Sequence, residues 1–250
     1  MAIMVIIGEL GSGKTLSLTY LLWRNWYYKN KIIYANYTLY GIPYFKITKV
    51  SELDMIRQGY LGADEMWVWL ETSVGERLKK KIVSDILRKS RKRNLTINST
   101  SQTLEQIPLR IRKIIDFIGY PMLNRNATIC RLAIFSGPHG RTLLKEHYFY
   151  TAPVFKMYDT NEEIGDLIDD VTPTWKKAIS PQAQKRYTEK FIMRAQPQQQ
   201  ININPREIEI EIKKRKENLT LEEVQDEGFR KEEEKEIIER AKELEELNEG

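Results

Sequence analysis

The chain has 250 residues, 41% of them apolar and 30% charged, which is material for one medium domain with an appendage. A single cysteine, Cys130, excludes a disulfide scaffold and a Cys-rich zinc site, and two histidines, His139 and His147, give no basis for a His metal centre or a catalytic triad. No apolar run reaches the roughly 18 residues needed to cross a bilayer, so a soluble protein of a reducing, intracellular compartment is expected, without membrane insertion. The net charge of +5 conceals an asymmetry: residues 207–250 hold 17 acidic and 9 basic side chains, leaving 31 basic and 18 acidic in residues 1–206. A basic body with an acidic tail points to a polyanion as the partner of the body.

In chain order, the apolar run Ile3–Ile7 ends at Gly8 and reads as a buried parallel strand. A helix is expected over 15–28, from the spacing of Leu18, Leu21, Leu22 and Trp26, with Trp23, Trp26 and Tyr27 in the core. A strand over 31–39 leaves through the turn Gly41-Ile42-Pro43. Then come a short helix over 51–57, a short strand over 60–63 interrupted by Gly62, and a basic helix or helix pair over 73–93. Strands follow at Leu95–Ser101 and 114–120, and the runs 128–135 and 142–150 form a β-hairpin around Gly137-Pro138-His139-Gly140. The alternation of strand and helix is the signature of an α/β fold. Beyond it, an acidic helix is expected over 161–171, a linker at 196–200, a strand within 201–212, and a Glu/Lys-rich helix from 229.

The stretch Gly8-Glu-Leu-Gly-Ser-Gly13-Lys14-Thr15 fits G-x-x-x-x-G-K-[ST], and it lies between an apolar strand and a helix, where a phosphate-binding loop belongs. Gly8, Gly11, Ser12 and Gly13 let backbone N–H groups turn inward around a phosphate at the helix N-terminus. Lys14 brings a point charge to the terminal phosphates of ATP, and the Thr15 hydroxyl is placed to ligate Mg²⁺. A second carboxylate position is needed for the metal and for a nucleophilic water. Asp64 and Glu65, at the end of the 60–63 strand, suit metal binding and water activation respectively; Asp54 and Glu71 follow no strand. Gln102 ends the Leu95–Ser101 strand, at the carboxyl edge where parallel sheets gather their ligands. Nine Lys or Arg and one acid fall within 77–93, a candidate DNA-phosphate surface or simply a solvated face, with Arg141 and Lys145 as weaker candidates.

The order of these motifs resembles the FtsK/HerA superfamily of ring-forming, DNA-pumping P-loop ATPases. Leu95-Thr-Ile-Asn-Ser-Thr-Ser101-Gln102 is similar to that family's third core strand, and Ile107-Pro108-Leu109-Arg110-Ile111 to the segment after it. Ile33-Tyr-Ala-Asn36 and Tyr158-Asp159-Thr160 resemble two small branches, the viral genome-packaging ATPases and the zonula-occludens-toxin-like phage assembly ATPases. The resemblance implies a RecA-like P-loop NTPase fold with a mainly parallel sheet, in which Gln102 senses the γ-phosphate. It also implies an arginine donated to the nucleotide of a neighbouring subunit; Arg88, Arg91, Arg93 and Arg110 are candidates, and Arg91 is favoured. The expected division is an ATPase core over 1–160, an ancillary segment and linker over 161–200, and a charged tail over 201–250. ATP and Mg²⁺ are the implied cofactors. Double-stranded DNA, a homo-oligomeric ring (hexamer or pentamer) and a capsid or portal protein are the implied partners, in the host cytoplasm or with the virion. The leading expectation is a DNA-packaging motor. The alternatives are a phage assembly or export ATPase, a small P-loop kinase, and a nucleotide-gated binding protein.

Overall fold

The computed structural model describes residues 2–69, 77–137, 142–165, 167, 168, 170, 208 and 209. His139, Arg141, the 196–200 linker and the helix from 229 lie outside the described residues, as does the 201–212 strand apart from Ile208 and Glu209.

Among the described residues, eight strands form one sheet: β1 (Ile3–Ile7), β2 (Ile33–Ala35), β3 (Phe45–Lys46), β4 (Gly59–Ala63), β5 (Leu95–Ser101), β6 (Phe117–Leu123), β7 (Ile129–Ser136) and β8 (Leu143–Tyr150). Their spatial order is β3-β2-β4-β5-β1-β6-β7-β8. The first six pair in parallel, and β7 and β8 pair antiparallel. The hairpin expected after the core is therefore part of the central sheet, because β6 supplies an edge for β7 to pair with. The strand expected over 31–39 shortens to three residues, and the one expected over 114–120 starts at Phe117.

Helices cover both faces. α1 (Lys14–Lys29) and α5 (Thr151–Phe155) lie on one side, where Leu16, Leu18, Tyr20, Leu22 and Trp23 pack with Ile6, Ile33, Leu132 and Phe149. On the other side α2 (Val50–Met55), α3 (Arg77–Lys89) and α4 (Leu109–Arg112) close a second core around Val5, Leu61, Leu95, Ile97 and Ile118. Apolar residues of α3 at helical spacing (Ile82, Val83, Ile86 and Leu87) face that core, leaving Arg88 and Lys89 outside. The basic helix ends at Lys89 rather than 93, since the Ser90–Asn94 turn reverses the chain with Asn94 at φ 54°. Trp23 is core as expected, but Tyr27 is 47% exposed and stacks on Trp23 from outside.

The helix expected over 161–171 is absent from 161–165. Its acids are engaged elsewhere: Glu162 accepts from the Thr38 backbone N–H and Lys46 Nζ, each at 2.5 Å, and Asp170 accepts from the Ser51 backbone N–H at 3.0 Å. Ile168 bridges in parallel to Lys49, so this stretch straps the β2–β3 side of the sheet. Among the described residues no helix is long and apolar enough to cross a membrane.

Candidate nucleotide-binding site

The strand order decides the geometry. β5 lies between β1 and β4, with Ile7 paired to Ser101 and Ala63 to Ser99. The residue after β1, Gly8, is therefore level with Gln102, and the residue after β4, Asp64, is level with Thr100. All four sit on one carboxyl edge of the parallel sheet, beside the N-terminus of α1.

The loop from Gly8 to Gly13 enters α1 with Gly13 at φ 92°, a left-handed conformation that disfavours any side chain. A Cβ on Gly8 would stand 2.5 Å from Ser12 Oγ. That hydroxyl is buried and has no hydrogen-bond partner among the described residues. Lys14 Nζ donates to the Gly8 and Glu9 carbonyl oxygens at 2.9 and 2.8 Å, and so lies across the loop. Burial lowers its pKa, and the charges of Asp64 and Glu65 partly oppose that shift. A concave loop with an orphaned hydroxyl and a partly desolvated ammonium fits a phosphate group.

Facing the loop, Thr15 Oγ1 donates to Asp64 Oδ2 at 2.9 Å, and Thr100 Oγ1 donates to Asp64 Oδ1 at 2.5 Å. Burial raises the Asp64 pKa, against the opposing pull of the Thr100 and Thr15 hydroxyls. A hydroxyl and a buried carboxylate side by side are hard oxygen donors of the kind Mg²⁺ takes, so Thr15 and Asp64 would hold that ion. Glu65 is next, half-buried, with its backbone N–H donating to Thr100 Oγ1 at 2.7 Å. Its φ of 47° is a left-handed conformation uncommon outside glycine.

Two residues not assigned a role from sequence complete this row. Thr100 links Asp64 to Glu65, and Asn36 clamps the Asp64 backbone from both sides, donating to its carbonyl and accepting from its N–H, each at 2.8 Å. Asn36 stands where a strand ends, and its place in Ile33-Tyr-Ala-Asn36 was the available signal; Thr100 carries none, being one hydroxyl among several on β5.

The other expected site residues divide. Gln102 has an exposed side chain on this edge; its backbone N–H is held by Gln106 Oε1 at 3.0 Å. Arg91 is not brought to the site. Its guanidinium pairs with Asp116 Oδ1 at 2.6 Å, and Asp116 Oδ2 accepts from the backbone N–H of Ile3, at the opposite end of β1. The length of that strand, about 15 Å, separates Arg91 from the loop. Arg93 is 13% exposed and locked to Asp54, while Arg88 and Arg110 are exposed. Cys130 is buried and its pKa is pushed up to about 12, which removes it from chemistry at neutral pH.

A mainly parallel sheet flanked by helices, with this loop at the end of its first strand, is a RecA-like P-loop NTPase fold. No family model matches the chain, and no curated protein matches it. Among solved structures it is similar to the N-terminal domain of zonular occludens toxin from Neisseria meningitidis, at 16% identity and a TM-score of 0.46 over 63% of this chain and 98% of that one. It is also similar to a KaiC-like protein from Pyrococcus horikoshii, at 11% identity and a TM-score of 0.43 over 63% and 89%. A third is the DNA-packaging ATPase from Sulfolobus turreted icosahedral virus, at 13% identity and a TM-score of 0.43 over 58% and 96%.

Proposed function

We propose that the chain is an ATP-hydrolysing motor that moves double-stranded DNA, with packaging of a viral genome into a preformed capsid as its task. The observation that carries the nucleotide part is the hydrogen-bonded row Thr15, Asp64, Thr100 and Glu65 beside the Lys14 loop. Bound ATP and Mg²⁺ would supply the electrophilic phosphoryl group and the charge that neutralises it. Gly8, Gly11, Ser12 and Gly13 offer the cradle, and Lys14 offers the cation. Thr15 and Asp64 hold the metal, and Glu65 orients a water and takes its proton. Gln102, level with Gly8, reads whether the terminal phosphate is present.

Arg91 pairs with Asp116 at the end of β1 away from its own loop, and its proposed role, as the resemblance implies, is on a neighbouring subunit's nucleotide in a ring (hexamer or pentamer). The DNA part is supported by the excess of 31 basic over 18 acidic residues in 1–206 and by a motif order that resembles that of FtsK/HerA ATPases. A capsid or portal protein is the proposed partner of the acidic tail, in the host cytoplasm or on the virion.

The test is ATP hydrolysis with and without double-stranded DNA over a salt series. Stimulation by DNA that fades as salt rises supports the motor and its phosphate contacts. Hydrolysis indifferent to DNA transfers the assignment to a virion assembly or export ATPase. Transfer of phosphate to a nucleoside makes it a kinase, and tight nucleotide binding without turnover makes it a nucleotide-gated binding protein.

A further inference from the structure

Ile208 and Glu209 lie on the core although 37 residues, 171–207, separate them from Asp170. Ile208 is fully buried among the side chains between α1 and the sheet. Glu209 pairs antiparallel with Phe149 on β8, the outermost strand of the sheet. Its carboxylate accepts three hydrogen bonds from one stripe of α1: Tyr20 OH at 2.9 Å, Arg24 Nε at 2.8 Å and Tyr28 OH at 2.8 Å. The three donors recur every four residues and so share one helix face.

The receptor is organised by its own packing. Tyr20 stacks on Phe149 with ring centroids 4.1 Å apart and planes 5° from parallel, and the Arg24 guanidinium lies 5.4 Å above the Tyr28 ring. His147 Nδ1 is 3.3 Å from the Tyr20 hydroxyl. Burial and the charges of Lys145 and Arg24 drop its pKa to about 4, so at neutral pH it can serve Tyr20 as an uncharged partner. Burial alone would raise the Glu209 pKa, but the bonds from Tyr28, Arg24 and Tyr20 outweigh it and hold the carboxyl below its ordinary value. Open edge strands are pairing sites, and an arginine held beside two tyrosine hydroxyls is a carboxylate site; here the two adjoin.

We propose that the corner between α1 and the β8 edge is a peptide-docking site for an Ile-Glu segment, occupied by the chain's own Ile208–Glu209. The site fixes Ile208 and Glu209, at the start of the acidic stretch of the sequence, against the helix that begins with Lys14 and Thr15. It does not depend on the proposed motor function.

The test is peptide-level hydrogen exchange on the full chain. In the wild type, amides around 208–209 are protected. Glu209→Gln, or Arg24→Ala, speeds their exchange about tenfold, the population change carried by one charge-assisted hydrogen bond. Tyr28→Phe, at the exposed rim where folding is not at stake, produces a smaller acceleration of the same amides. Wild-type exchange at the unprotected rate, or protection unchanged in all three variants, overturns the proposal. Protection that is lost on dilution also overturns it, because the segment would then come from a second copy of the chain.

Discussion

Replacing Thr100 by valine removes one hydroxyl while keeping shape and volume, and that hydroxyl serves two partners. It donates to Asp64 Oδ1 at 2.5 Å and accepts from the Glu65 N–H at 2.7 Å, and both Thr100 and Asp64 are buried. A buried donor left without its acceptor costs about 1–3 kcal/mol, and a lost hydrogen bond to a charged group costs about 1.5–3 kcal/mol. The expected total near neutral pH is about 3 kcal/mol. Only the second part depends on ionisation. Asp64 already has a pKa raised by burial, and Thr100 is the first of the groups that pull it back. The folded state therefore binds its proton more tightly than the unfolded state, and the variant strengthens that difference. Stability falls as pH rises from the unfolded carboxyl pKa through the folded one, and it falls further in the variant. The variant's penalty is thus smaller at about pH 4 than at about pH 8. Urea unfolding of both proteins across that range measures it. A penalty under about 0.5 kcal/mol, or one equal at both ends, refutes the assignment of Thr100 as the carboxylate's partner.

Gly62→Ala places a methyl group 2.5 Å from Leu22 Cδ1, where α1 crosses β4, and overpacking there is expected to cost about 1–3 kcal/mol in thermal or urea unfolding. Asn36→Ala leaves the Asp64 N–H and carbonyl unclamped; Mg²⁺-dependent nucleotide binding should weaken by about tenfold, the worth of one such bond, which titration with a fluorescent ATP analogue reads. Lys14→Ala should abolish turnover, whereas Glu65→Gln should retain bound ATP, and equal activity of Glu65→Gln and wild type removes Glu65 from the reaction. The Arg91 side chain is 72% exposed, so Arg91→Ala should change stability by no more than about 1 kcal/mol. If that variant is inactive alone but regains turnover when mixed with Lys14→Ala, the arginine acts on a neighbour; no recovery at any ratio counts against it.

The amino-acid sequence by itself determined the alternation of strand and helix, the glycine-rich loop between β1 and α1, and the position of the acid pair after β4. Each is a local pattern: an apolar run, a helical spacing, or a motif of consecutive residues. The bounds of β1, α1, β4 and β5 follow from it to within a residue or so. Tertiary structure decided what lies between distant segments. The insertion of β5 between β1 and β4 brings Thr100 to Asp64, and no property of one threonine among the hydroxyls of Leu95–Ser101 announces that. Arg91 and Gln102 lie beyond opposite ends of β5, because a strand's direction separates residues that sequence distance leaves close. The 161–165 segment, whose composition suits a helix, is not one, since Glu162 is bound by Thr38 and Lys46. Glu209 reaches a stripe on α1 through contacts more than 180 residues apart in the chain. Such pairings are set by which surfaces bury each other, and that information is spread over the whole chain rather than written at any one position.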